Sequence, residues 1–360
     1  MTEIINPIAI DHRPPAASET PLQAASDRAK LEKLLAKQLR NFVVLFSRVL
    51  ADEDADAVHD LRVCTRRLQQ VLSGLAPVNS LGKGRVVRRT LRRIRRALGQ
   101  WRNCDVALQW VARSERRSAK PRRRRGWELV RLSIAAERKR AINQARRRLF
   151  KSEGFALNQR TRQLIALAAE RLEGVNPAAV ARAAVNDGAL RWREALSYAM
   201  ENRSVRSIHA LRIQMKRLRY RVELARDLGA DDARAVIQWF KSMQDRLGRW
   251  HDRLELARFI TRALANSEVL LAEPGVAVEL LKEVGKDIAV GSREVDAFFQ
   301  LATHSEGRDR LDTWLNAYCY APEDGAPEPP VDSSGANGIQ AAPEPAQQPS
   351  APPPPPAGEG

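Results

Sequence analysis

Cysteine, proline and aromatic residues are all scarce in the body of this sequence, and each scarcity excludes something. The cysteines are Cys64, Cys104 and Cys319, odd in number and far apart, which argues against a disulfide framework. No CxxC pair occurs, so a structural zinc site is not expected. Only Pro77, Pro121, Pro177 and Pro274 interrupt the stretch between residues 28 and 320, and all four fall between apolar-periodic segments, where a helix tolerates them. No run approaches the eighteen or so uncharged apolar residues of a membrane span. The opening MTEIINPIAIDHRPP lacks a basic region followed by an apolar run, so a signal peptide is not expected and the chain reads as cytoplasmic. Glycine-rich phosphate loops and alternating strand patterns are absent as well.

What is abundant is positive charge. The 360 residues carry a formal net charge of +18, and the ends hide part of it. Residues 1–27 carry −3 and residues 321–360 carry −6, which leaves +27 for the middle. Such an excess makes the compact state repel itself, so it points to an anionic partner. Twelve of the twenty prolines lie between Pro322 and Pro356, so 319–360 reads as a disordered Pro-rich acidic tail. Residues 1–27 read as a disordered segment on the same grounds. From 28 to 318 the apolar spacing is helical almost throughout, as in Leu31, Leu34, Leu35, Phe42, Val43, Phe46 and Leu50. The expected fold class is therefore all-α, with separate helical stretches that include 232–247 and 252–266.

This middle part repeats itself. Val58-His59-Asp60-Leu61-Arg62-Val63 returns as Ile208-His209-Ala210-Leu211-Arg212-Ile213, an offset of 150. Leu98-Gly99-Gln100-Trp101 returns as Leu247-Gly248-Arg249-Trp250, an offset of 149. Two matched blocks with nearly equal separation mark an internal duplication, about 28–175 and 176–318. Two copies of one helical unit, packed about a pseudo-twofold axis, are the expected architecture.

Successive helical residues turn by about 100°, so i, i+3 and i+7 share a face. His59, Arg62 and Arg66 form one stripe; His209, Arg212, Lys216 and Arg219 form its copy. Arg88, Arg92 and Arg95 border Leu91, Ile94 and Leu98 on a second helix, and Lys241 stands for Arg92 in the other copy. One Arg-rich helix is ordinarily a solvated face. Cations repeated beside the buried stripes of several helices should instead converge on a shared groove, and either histidine can donate to an anion there. Arg67 and Arg217 point away from the stripes.

His59-x-x-Arg62-x-x-x-Arg66-Arg67-Leu68, then Leu98-Gly99 and Asp105, then HALRIQMKRLRY at 209–220 and Leu247-Gly248 with Asp252, resemble the CHAD family, the conserved histidine α-helical domain. The resemblance spans about 28–318. It implies two pseudo-twofold-related helical bundles with a basic central groove, binding of inorganic polyphosphate, and association with polyphosphate granules. The binding set it implies is His59, Arg62, Arg66, Arg92, His209, Arg212, Lys216, Arg219 and Lys241, with Tyr220 also on the family pattern; Arg88 and Arg95 join it from the wheel. Two positions depart. Asn103 replaces an aspartate that Asp252 keeps, and Gln69 stands where the second copy has Arg219, so the first stripe reads as shorter.

Polyphosphate is a dense anion without base edges, and Arg forks match its oxygens. The few aromatics fit core positions better than a base-stacking platform. No cofactor is implied. No acid, base or metal constellation for hydrolysis or synthesis is recognisable, since Asp60 of His59-Asp60 becomes Ala210 and His251-Asp252 lacks nearby carboxylates. The expectation is a binding module and not an enzyme. Two alternatives stay open: weak, nonspecific nucleic-acid association through the same charge, and a granule scaffold whose Pro-rich tail recruits a protein partner.

Overall fold

The computed structural model describes residues 21–73, 82–152, 154–171, 176–265 and 272–320. These belong to one unit, Met1–Ala321, and the described residues are helical with no strand. In chain order the helices are α1 Pro21–Ala51, α2 Ala55–Ser73, α3 Gly82–Ala97, α4 Gly99–Arg116, α5 Pro121–Phe150, α6 Leu157–Arg171, α7 Pro177–Glu201, α8 Val205–Leu228, α9 Ala233–Leu264, α10 Pro274–Thr303 and α11 Glu306–Tyr320.

The duplication governs where helices start. α2 and α8 begin 150 residues apart, at Ala55 and Val205. Both are capped by the residue before. Asp54 Oδ1 accepts from the backbone N–H of Asp56 at 2.8 Å, and Ser204 Oγ accepts from that of Ser207 at 3.1 Å. A side chain of this kind satisfies one of the four free N–H groups of a first turn. These N–H groups also hold the Asp54 carboxyl below its ordinary pKa. Equivalent helices share proline starts, Pro21 with Pro177 and Pro121 with Pro274, where the missing N–H costs nothing.

Three boundaries differ from expectation. α1 begins at Pro21, so seven residues of the segment expected to be disordered are helical; Asp27 is buried there, and Lys30 Nζ joins it at 2.8 Å. α11 runs to Tyr320, two residues into the expected tail. The stretches expected at 232–247 and 252–266 are joined in one helix, α9 Ala233–Leu264, because Gly248 stays helical. A glycine inside a helix costs only about 1 kcal/mol relative to alanine. The first copy is nearly as continuous: Leu98 N–H reaches Ile94 O and Arg102 N–H reaches Leu98 O, both at 3.1 Å, across the turn between α3 and α4. Residues 1–20 and 321–360, and with them the expected tail, lie outside the described residues.

The core has three parts, one within each repeated bundle and one between them. One is built on α1–α3 with the start of α4, the end of α5 and part of α6, around Phe42, Leu61, Leu91 and Trp101, and Ala181 of α7 and Leu224 and Leu228 of α8 join it from the other repeat. Its copy is built on α7–α9 with the end of α10 and α11, around Trp192, Leu211, Phe240 and Trp250. The third takes half from each repeat: Cys104 and Val111 of α4, Trp127 and Ile134 of α5, Phe259 and Ile260 of α9, Val276 and Leu280 of α10. Gly126 lets α5 and α10 approach here; a Cβ on it would stand 2.9 Å from Leu280 Cγ. The two hairpins thus lock the repeats together, while α2 and α8 pack against each other elsewhere and carry the repeated stripes.

Candidate anion site between the repeats

Because α2 meets α8, the two stripes meet as well. Lys216 is half-buried; its amine is held well below an ordinary lysine pKa by burial first, then by Arg212, Arg66, Arg62 and Arg219. Burial, then Arg66, Arg95, Arg102 and Arg212, lowers the Arg62 guanidinium to about 10, still charged at neutral pH. Arg212 is lowered by burial and by Arg66, while Asp252 acts the other way. Each repeat therefore feels the other's cations. At the centre, Arg66 and Lys216 make no hydrogen bond or ion pair among the described residues. Two donors, Arg102 Nη1 and Arg212 Nε, are likewise buried without a hydrogen-bond partner among those residues. Buried donors are normally satisfied by protein or by water, so donors left free beside crowded cations can take an acceptor from outside.

The carboxylates nearby are few. Glu223 lies 3.6 Å from Arg67 and 3.6 Å from Arg219, so Arg67, set aside on the helical wheel, ties α2 to α8. Arg219 also lies over the Tyr220 ring, 4.8 Å from its centroid. Tyr220 is 5 % exposed, which makes it packing beneath the site.

Gln69 does not shorten the first stripe. Arg95, from α3, donates to Gln69 Oε1 at 2.5 Å and to Thr65 O at 3.1 Å. Arg62 in turn donates to Arg95 O at 2.8 Å. Burial, then Arg66, Arg92 and Arg217, lowers Arg95 to about 10. The repeat partners of Gln69 and Arg95 are Arg219 and Gln244, and Gln244 Nε2 donates to Met215 O at 3.3 Å, the counterpart of the Thr65 bond. Glutamine and arginine have exchanged helices between the copies, so each repeat keeps one cation at this place.

A second equivalence was missed from the sequence. The residue after the repeated tryptophan is Arg102 in one copy and His251 in the other, and each adjoins the repeated histidine. His59, exposed at its edge, has its pKa lowered by the surrounding protein, then by Arg102, Arg66 and Arg62. His209 stacks on His251 with ring centroids 5.6 Å apart; burial, then His251, Arg212 and Lys216, lowers its pKa against a contrary pull from Glu255. Aligning the repeats one residue past Trp101 and Trp250 would have revealed the pair. Asn103, the other departure, spans the repeats, its Nδ2 donating to Glu255 Oε2 at 3.0 Å. Arg92 and Lys241 are exposed, Arg92 beside Arg95 and Arg217. Arg88 and Lys241 lie outside these strongest couplings.

Among the described residues, no group of three or more His, Cys, Asp or Glu side chains could hold a metal ion. No described helix is long and apolar enough to cross a membrane. The three cysteines are free, two of them buried.

Comparisons with known proteins agree with this architecture. The CHAD domain family matches residues 33–261. The chain therefore belongs to the CHAD domain family. The crystal structure of the CHAD domain from the plant Ricinus communis is similar in fold: TM-score 0.56 at 20 % identity, covering 81 % of this chain and 91 % of that one. No curated protein matches the chain.

Proposed function

We propose that this protein binds inorganic polyphosphate in the basic site between its two repeats, as a binding module without catalytic activity of its own. The observation that carries this reading is the convergence of Arg62 and Arg66 of α2 with Arg212 and Lys216 of α8, cations that repel one another across the repeat boundary with few carboxylates to balance them. A chain of phosphates supplies the missing negative charge from one continuous ligand. Arginine forks grip its oxygens in bidentate fashion, and the released counterions favour the complex. The wheel leads to a site for a polyanion, and the family resemblance implies that the polyanion is polyphosphate. A tight polyphosphate binder of this kind works in the cytoplasm, held on polyphosphate granules.

Nucleic acid is the rival polyanion, and competition separates the two. Tyr220 is buried, so among the candidate residues only the histidine rings are open to bases, a small platform for stacking. Long-chain polyphosphate should displace prebound duplex DNA at equal phosphate concentration, while DNA should barely displace polyphosphate. Equal displacement in both directions would overturn the reading and leave a generic polyanion binder.

A further inference from the structure

α3 carries charge that the site does not use. Its sixteen residues, Gly82–Ala97, include seven arginines and no carboxylate. Arg95 faces the cluster, Arg92 and Arg85 follow round the helix, and Arg93 ends the arc about 160° from Arg95. Arg85, Arg89, Arg92, Arg93 and Arg96 are exposed, and none forms an ion pair among the described residues. Elsewhere on the surface arginines are commonly paired, as Arg125 is with Glu128 and Glu273, and Arg249 with Glu294.

The scaffold does not require this charge. The equivalent face of α9 has Gln238, Ser242 and Asp245 where α3 has Arg89, Arg93 and Arg96. Those three arginines stand three or four residues from one another or from Arg85 and Arg92, so they repel along the helix and destabilise it in the absence of an anion. A face that costs stability, keeps only two of its five exposed cations in the other copy (Arg234 and Lys241 for Arg85 and Arg92), and joins the site through Arg95 needs a ligand to explain it.

We propose that the outer face of α3 is a second contact surface for polyphosphate, a track that takes the same chain as it leaves the site between the repeats. This rests on the polyphosphate reading above and specifies the length of ligand it favours. A chain already held at the cluster meets α3 at high effective concentration, so the track adds affinity only for chains long enough to reach it. No aromatic residue lies on α3, so the arc offers directed cations without base stacking.

The test exchanges repeat residues, Arg89→Gln, Arg93→Ser and Arg96→Asp, which the protein already accommodates at the equivalent places of α9. A control makes the same three exchanges at Arg113, Arg116 and Arg117, exposed at the end of α4. Each protein is titrated with a short polyphosphate of about ten phosphates and with a chain of on the order of a hundred, at one salt concentration. The α3 variant should lose about tenfold for the long chain and less than about twofold for the short one, while the control loses equally little for both. Equal loss at both lengths, or no loss at either, would overturn the track and leave the central site standing. Loss confined to duplex DNA would make α3 a nucleic-acid surface and overturn it too. Failure of the unmodified protein to bind either length would overturn both readings.

Discussion

Replacing Arg62, Arg66, Arg212 and Lys216 together by alanine is expected to weaken binding of long-chain polyphosphate at least about a hundredfold, or about 2.7 kcal/mol. Each removed cation deletes one or two charge-assisted hydrogen bonds to phosphate, each worth about 1.5–3 kcal/mol singly and less when deleted together. The variant removes 4 of 61 basic residues, so attraction spread over the whole surface predicts only a small loss. The net cost to folding should be small: Arg62→Ala loses the bond to Arg95 O, worth about 1 kcal/mol, but these side chains repel one another in the native state, and Arg66 and Lys216 have no ion pair to break among the described residues. Unchanged helical circular dichroism with a hundredfold loss places the ligand between the repeats. Unchanged affinity would show that charge alone, wherever it lies, sets the binding.

The largest stability effect is expected at the repeated tryptophan. Trp101 is fully buried in the first core, and Trp250 holds the same place in the second. Trp101→Ala should cost about 3–5 kcal/mol, from lost transfer energy and the cavity left behind. The indole also seats the turn of α4 that carries Arg102, so stability and the setting of His59 depend on one side chain. Urea unfolding followed by circular dichroism measures the loss. A change below about 1 kcal/mol would mean that α4 is not anchored as described.

Much of this architecture was legible in the sequence because the duplication left two copies to compare. The stripes at 59/209, 62/212 and 66/216 sit one helical step from buried leucines, so periodicity alone placed them at the edge of a packed face. What it could not give was which helices meet. The exchange of Gln69 and Arg95 for Arg219 and Gln244 looks like two unrelated changes until α2 and α3 are seen side by side. Arg102 and His251 differ in type, so their equivalence does not show as a repeated residue, although both crowd a histidine. The third core was hidden for another reason: α4, α5, α9 and α10 look like ordinary amphipathic helices, and nothing in their spacing says that each hairpin is completed by the other repeat. The fusion of α9 was missed because Leu247-Gly248 reads as a stop, yet glycine's modest penalty is outweighed by the packing of Leu247 and Trp250.

The most direct test of the site is the reactivity of Lys216 toward an amine-acylating reagent, read residue by residue by mass spectrometry. Burial and four neighbouring arginines hold its pKa well below the ordinary lysine value, which favours the neutral, nucleophilic amine; Lys282 and Lys286, exposed and paired with Glu279 and Glu283, serve as references away from the site. Long-chain polyphosphate should cover the amine and, by bringing negative charge, restore its proton. Its acylation is expected to slow at least about tenfold, because phosphate oxygens both cover the amine and favour its charged form, while Lys282 and Lys286 change less than about twofold. Slowing shared equally by all three lysines, or none at Lys216, would contradict a polyphosphate site between the repeats.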